Sequence, residues 1–286
     1  MPNRLITLFD PWKGKLCTCP PKYSLSPYTG CSHGCLYCYI TSYIPRGHVL
    51  RLKPNLLERV RKEVSQIDKK LCVSMANSSD PYPPEEEEHG LTREILKIFA
   101  SENIKTLLVT KSSLVTRDLD LLSEMCVCVA ITITTLKESL AKKLEPRAPS
   151  PEERLKALKT LSKAGVPCVL RLDPIIPGLT DREAESIIGA AAESCCHVVS
   201  STYKAKPDNL RRMAKAFPQL RLFELLRQGE RIGGYQYLPK KLRRELMEKT
   251  RQVCDKHGLT FATCREGFRD LHTATCDGQH LLQANR

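Results

Sequence analysis

From residue 54 onward the apolar positions switch repeatedly between two spacings. "NLLERVRKEVSQIDKK" places them at helical intervals, and "LCVSMA" follows as a short buried strand. "LTREILKIFASE" is again helical and "IKTLLVT" a strand; "RDLDLLSE" leads into the β-branched run "MCVCVAITITT". "SPEERLKALKTLSKAG" carries its own boundaries: Ser150 as N-cap, Pro151 at the first helical position and a terminating Gly165. Then come "VPCVLRLDPII", a helix over "DREAESIIGAAAES", and "CCHVVSSTY". With an opening strand near "KYSLSPYTG" this makes about six strand–helix units. Such alternation predicts an α/β fold of parallel strands with right-handed crossovers, short of a full eight-fold barrel.

The polar, unusual residues gather where these strands end: "NSSD", "TKSS", "TITT", "DPIIPG" and "SSTYK". A barrel builds its active site on the C-terminal ends of its strands, so this convergence predicts an enzyme. Beyond about residue 204 the alternation fades into a basic stretch. Residues 204–251 hold 14 Lys and Arg against 5 Asp and Glu, densest on a helix expected over 239–257. Three parts follow: an N-terminal arm (1–22), a barrel (23–203) and a basic C-terminal lobe with its tail (204–286). The acidic run "EEEE" at 85–88 reads as a solvated first turn of the helix after it.

The net charge of +13 favours a polyanionic partner, nucleic acid first, against the plainer account of a basic enzyme with solvated lysines. No apolar run is long enough to span a membrane, and the start lacks the apolar core of a secretory signal. A cytoplasmic protein without a membrane partner is expected. Thiols stay reduced there, so 14 cysteines point to metal binding and buried packing instead of a disulfide framework.

The densest cysteines are Cys31, Cys35 and Cys38 in "GCSHGCLYCY", spaced C-x3-C-x2-C, with Gly30 and Gly34 freeing the backbone. Three thiolates can hold one face of a 4Fe–4S cluster and leave one iron open. Zinc bound by the same cysteines with His33 is the rival that the spacing alone leaves open.

This loop, with "NSSDPY", "LLVTKS", "ITIT" and "LEPRAPSPEERLKALKTLSKAGVPCVLRLDPIIPG", resembles the radical S-adenosylmethionine (SAM) superfamily, specifically its spore photoproduct lyase branch, also labelled DNA repair photolyase-like. The resemblance covers roughly residues 23–203. It implies a partial TIM-like (β/α)6 barrel with a basic C-terminal extension, and reductive cleavage of SAM to a 5′-deoxyadenosyl radical. Cys31, Cys35 and Cys38 would ligate three irons. Tyr37 would lie near the adenine, Ser78, Ser79 and Asp80 would hold the SAM amino group, Lys111 would pair with its carboxylate, and Thr132 would add a hydroxyl contact. An electron donor such as ferredoxin or flavodoxin is implied as well. Glu145 and Arg147 match the motif, with a structural turn as the equal alternative. One departure stands out: where the lyase carries its hydrogen-donating cysteine, this chain has Asn77, and an amide cannot donate a hydrogen atom. The chain therefore reads as something other than a spore photoproduct lyase proper.

Of the remaining cysteines, Cys72, Cys126, Cys128 and Cys168 lie in apolar strands and read as core packing. Cys195 and Cys196 open the sixth strand, and Cys254 lies on the basic helix. Cys17, Cys19, Cys264 and Cys276 sit in polar, turn-rich sequence and together suffice for a second 4Fe–4S cluster, with a four-cysteine zinc as its rival. The expected function is a radical SAM enzyme that modifies or repairs RNA or DNA. Lys240, Lys241, Arg243 and Arg244 would grip phosphates, and Tyr235 and Tyr237 would stack on a base. The alternatives are a radical SAM enzyme acting on a peptide or small metabolite, and a non-catalytic zinc nucleic-acid-binding module.

Overall fold

A computed structural model describes residues 4–9, 14–75 and 78–283. It contains eleven strands: β1 (Thr7–Leu8), β2 (Tyr23–Leu25), β3 (Val73–Met75), β4 (Thr106–Thr110), β5 (Val127–Thr132), β6 (Cys168–Ile175), β7 (His197–Thr202), β8 (Lys204–Ala205), β9 (Arg231–Ile232), β10 (Tyr235–Tyr237) and β11 (Thr260–Thr263). The main sheet has the order β1-β2-β3-β4-β5-β6-β7-β11, and β8-β10-β9 form a small second sheet. Pairing is parallel from β2 through β7 and on to β11; β1 alone runs antiparallel, against β2. The six expected strands are therefore present as one curved, mostly parallel sheet.

The strands bury both faces, which explains their near-continuous apolar runs. In β5, Val127, Val129 and Ile131 pack outward under the helices, while Cys128 and Ala130 face the barrel interior with Leu107, Val169 and Val199. The outer layer is supplied by helices Leu56–Val64, Leu91–Ser101, Pro151–Lys163 and Ala184–Ala191. Helix Pro151–Lys163 starts where its sequence signals: Ser150 Oγ accepts from Glu153 N at 3.2 Å, and the Glu153 carboxylate accepts from Ser150 N at 2.7 Å. That reciprocal cap satisfies two backbone donors that a helix start otherwise leaves open.

The structure departs from the expected boundary at residue 204. Helix Lys240–Lys256 packs on β7 and delivers β11 parallel to it, in the register Thr260–His197 through Thr263–Ser200. Part of the C-terminal segment thus continues the barrel as a seventh parallel strand. The basic face hid a crossover helix whose other side buries Met247, Thr250, Val253 and Cys254. After β11 the chain turns back under the barrel. Leu282 enters the interior cluster, and Gly278 packs so tightly on Val169 and Cys128 that a Cβ there would lie 2.9 Å from Val169 Cγ2.

The acidic run opens a short helix with Glu87 and Glu88 exposed, and it departs from expectation at one position. Glu86 is fully buried and accepts from Tyr28 Oη, from Thr92 N and, at 2.7 Å, from Arg117 Nη2. A carboxylate survives burial only when its oxygens are partnered, and here they are. Of the core cysteines, Cys72, Cys128, Cys168, Cys195 and Cys254 are buried, Cys126 is half-buried and Cys196 is exposed. Among the described residues no helix is long and apolar enough to cross a membrane.

Candidate active site

The loop carrying Cys31, Cys35 and Cys38 follows β2 and lies at the C-terminal end of the sheet. It is held from three sides. Cys31 N donates to Gly47 O at 2.8 Å, and Leu36 N donates to Leu144 O at 2.8 Å. On the third side, helix Pro207–Ala216 sends Arg212 Nη2 to Cys38 O at 2.5 Å and Asn209 Nδ2 to Tyr37 O at 2.7 Å. Gly30 has φ +82°, and a Cβ there would meet Val49 O at 2.3 Å, so only glycine fits. The three thiols are close enough to influence one another's ionisation. Burial, with Asp80 close by, pushes the Cys31 thiol up to about 12, and burial likewise raises Cys35 and Cys38. Thiolates there need a positive centre beside them, which iron supplies. Three soft donors on one glycine-freed loop therefore fit a 4Fe–4S cluster with one iron left open.

The loops after β3 and β4 meet this one. Asp80 Oδ1 accepts from Thr110 Oγ1 at 2.6 Å and from Tyr82 N at 2.9 Å; Oδ2 accepts from Lys111 N at 2.8 Å and lies 3.2 Å from His33 Nε2. Burial opposes its charge, but His33 and these donors outweigh that and hold Asp80 at about 2. Its carboxylate accepts from the protein at both oxygens, and it acts as a strut between the loops after β3 and β4 and the cysteine loop. Ser79 Oγ donates to Tyr28 O at 2.9 Å, and Ser78 Oγ lies 3.4 Å from Ser26 Oγ. Asn77 lies outside the described residues.

Lys111 follows β4 with its ammonium 5.7 Å from the centre of the Tyr37 ring. Burial works against that ammonium, but the negative potential of Cys35 and Glu145 prevails and raises its pKa. Lys111 forms no ion pair with a carboxylate among the described residues, leaving its charge for an anionic ligand group. Tyr37 Oη donates to Glu145, whose carboxylate also accepts from Thr134 and pairs with Arg154 at 2.6 Å. Arg154 Nη1 donates to Thr132 O at 3.1 Å, so the Thr132 backbone is fixed by the same network. Glu145 is thus more than a turn residue. Arg147 uses its carbonyl on His33 Nδ1 and its guanidinium on Glu85 at 3.1 Å.

Across the barrel mouth the inward residues of β6 turn polar. Arg171 pairs with Asp173 at 2.6 Å, and Ser201 donates to Asp173. Tyr39, directly after Cys38, meets the Tyr235 ring edge-on at 5.0 Å. Lys206 lies 4.2 Å from the Tyr235 ring centre and the Arg265 guanidinium 4.5 Å from it. Neither cation pairs with a carboxylate among the described residues. Tyr39, Lys206 and Arg265 were not legible as a group, because they come from three distant segments. The one local signal was a tyrosine flanking each side of Cys38.

Two expected nucleic-acid contacts are corrected. Arg243 is 2% exposed and pairs with Glu266 at 3.1 Å and Glu230 at 2.9 Å, and Tyr237 is 1% exposed. Neither can reach a phosphate or a base. Lys240 and Lys241 are exposed, and Arg244 is paired with Glu248 and Asp270. The four polar-context cysteines do not assemble as one site either. Cys19 Sγ lies 3.2 Å from Cys276 Sγ and hydrogen-bonds with Cys17, at the barrel's N-terminal end. Cys264 follows β11 toward the opposite end, where its sulfur hydrogen-bonds with Arg171. A second cluster with these four ligands is therefore not formed.

The family comparison agrees with this geometry. The Radical SAM superfamily model matches residues 25–191, and the chain belongs to that superfamily. Membership implies a 4Fe–4S cluster and SAM, which together supply a 5′-deoxyadenosyl radical when bound. A Methanocaldococcus jannaschii protein described only as uncharacterized is 37% identical over 175 residues, 59% of this chain and 65% of its own. The Radical SAM Nalpha-GlyT isomerase of Pseudomonas phage M6 is 24% identical over 254 residues, 84% of this chain and 53% of its own. The chain thus spans less than two thirds of the length of either relative. A spore photoproduct lyase mutant with bound AdoMet and dinucleoside spore photoproduct shares the fold. Its TM-score is 0.67 at 18% identity, covering 89% of this chain and 80% of the other.

Proposed function

We propose that this enzyme applies its superfamily's radical chemistry to a nucleic-acid substrate, RNA or DNA, and modifies or repairs it. The observation that carries the reading is the wall of Tyr39, Tyr235, Lys206 and Arg265 beside the cluster loop. Aromatic faces bind bases regardless of sequence, and unpaired cations bind the phosphates between them. One structural neighbour supports the same reading: the spore photoproduct lyase structure holds a dinucleoside. Lys111 would take the SAM carboxylate and Tyr37 would lie against the adenine. A cytoplasmic location and an electron donor such as ferredoxin or flavodoxin belong to the same reading.

Binding of single-stranded RNA and DNA by the cluster-loaded enzyme, measured against salt, tests it. Lys206→Ala with Arg265→Ala should weaken binding and reduce the slope of log K against log salt by about 1.4, or about 0.7 for each phosphate no longer neutralised. Unchanged affinity and slope would remove nucleic acid from this mouth and leave a peptide or small metabolite as substrate.

A further inference from the structure

The barrel's N-terminal end, remote from the cluster loop, is where the N-terminal arm meets the C-terminal tail. Residues 257 positions apart in sequence place Cys19 Sγ and Cys276 Sγ 3.2 Å from each other. The contact is embedded in a docked interface. Lys22 Nζ pairs with Asp277 at 2.7 Å, both side chains being buried, and Gln279 Nε2 donates to Pro20 O at 3.4 Å. Behind it, Gly278 packs on Cys128 and Val169. The arm and tail are therefore already held in register, and joining the two sulfurs asks for little movement. Lys22 Nζ lies 3.7 Å from Cys19 Sγ and, with the Cys17 hydrogen bond, favours its thiolate, but the contact with Cys276 and burial outweigh both and raise the thiol's pKa, so the exchange runs faster as pH rises. A metal ion is a poorer occupant, because that ammonium already stands beside the thiols and Cys264 is absent from the group.

We propose that Cys19 and Cys276 form a disulfide that staples the N-terminal arm to the C-terminal tail beneath the barrel. The oxidant is a low-molecular-weight disulfide such as oxidised glutathione. The Cys19 thiolate attacks one of its sulfurs and expels one glutathione thiolate. The Cys276 thiolate then attacks Cys19 Sγ and expels the second, forming the Cys19–Cys276 bond. The two protein thiol protons end on the two glutathiones, and the protein is oxidised by two electrons.

The test uses cluster-loaded protein under argon, equilibrated with oxidised and reduced glutathione, alkylated and digested with trypsin. The expected product is LCTCPPK (16–22) linked to DLHTATCDGQHLLQANR (270–286), lost in Cys19→Ser and retained in Cys17→Ser. Oxidation should raise the thermal midpoint by about 10 °C, because the bond closes a very long loop, and Cys276→Ser should abolish the shift. Any of three results overturns the proposal: Cys19 and Cys276 both alkylated at every glutathione ratio, a link through Cys17 in the unmodified protein, or stoichiometric zinc held by the reduced thiols.

Discussion

His33 Nε2 lies 3.2 Å from Asp80 Oδ2, and the two side chains are almost wholly buried. His33 sits between two cluster cysteines, while Asp80 also holds Thr110 and the Lys111 backbone. One contact thus fixes the distance between the three-cysteine loop and the loops expected to carry SAM.

Replacing Asp80 by Asn keeps the shape but removes the charge facing His33, and puts an amide donor in place of one oxygen, against either Lys111 N or Tyr82 N, each of which requires an acceptor. SAM cleavage should fall by about 10–100-fold, the usual effect of removing a group that orients a metal's ligands. Release of 5′-deoxyadenosine on reduction measures it; full activity in Asp80→Asn would show that the strut is dispensable.

The Glu145–Arg154 pair is 2.6 Å long, with both partners at 1% exposure or less. Arg154→Leu leaves a buried carboxylate with hydroxyls as its side-chain hydrogen-bond donors and Lys111 as its nearby cation, and stability should drop by about 3–5 kcal/mol. Replacing both partners with apolar residues should lose less than that single change. Thermal melts of the two variants make the comparison, and equal losses would contradict it.

His197 is buried at the start of β7, with Nδ1 2.8 Å from Thr260 Oγ1 and its ring edge-on to His280 at 4.9 Å. Burial, with His280 adding to it, lowers its pKa from 6.5 to about 3. The unfolded chain therefore takes up a proton near pH 6.5 that the folded protein refuses. Stability from this group is fully present above about pH 6.5 and is lost as pH falls toward 3, at about 1.4 kcal/mol per pH unit. Melts between pH 7 and 5, a window above ordinary carboxylate titration, should show at least this slope, because His48, His272 and His280 are lowered by burial too, and His197→Asn should make it shallower by about 1.4 kcal/mol per pH unit. An equal slope in both proteins would assign the acid sensitivity elsewhere.

Gly30→Ala drives a methyl group into Val49 O and forces a non-glycine residue into positive φ. Iron bound after anaerobic reconstitution should fall well below that of the parent, while Gly90→Ala, which shares the positive φ but whose Cβ meets nothing within 4 Å and which lies outside the cysteine loop, should load normally. Equal iron in both would separate the turn from cluster binding.

Much of this architecture could be read from the chain. The six strands announced themselves because both faces are buried, which leaves little choice beyond β-branched and apolar residues. Ser150 and Pro151 act within one turn of the helix they start, so local sequence suffices for them. What escaped depends on distant partners. Glu86 reads as solvent-facing until Arg117 and Tyr28 are placed around it, and Arg243 reads as a phosphate contact until Glu266 and Glu230 claim it. The strand at Thr260–Thr263 is four residues long, and the helix before it looked basic because its outer side is charged, with Arg243 the one cation on its buried side. In the candidate site the three cysteines share one local loop and are legible together, whereas the contacts of Asp80 with His33 and Thr110 join segments far apart in sequence.

The pairing of Lys22 with Asp277 also sets an order of events during synthesis. The arm emerges from the ribosome early and must wait for the whole barrel to be made before its ion-pair partner exists. β11 and the tail beneath the barrel are likewise delivered late. Until then β7 keeps an open edge and the interior around Cys128 and Val169 lacks its floor. Parallel sheets closed by late, long-range contacts fold slowly and expose sticky edges meanwhile. The nascent protein therefore passes through its most aggregation-prone state just before the tail emerges, and removing the tail prolongs that state indefinitely.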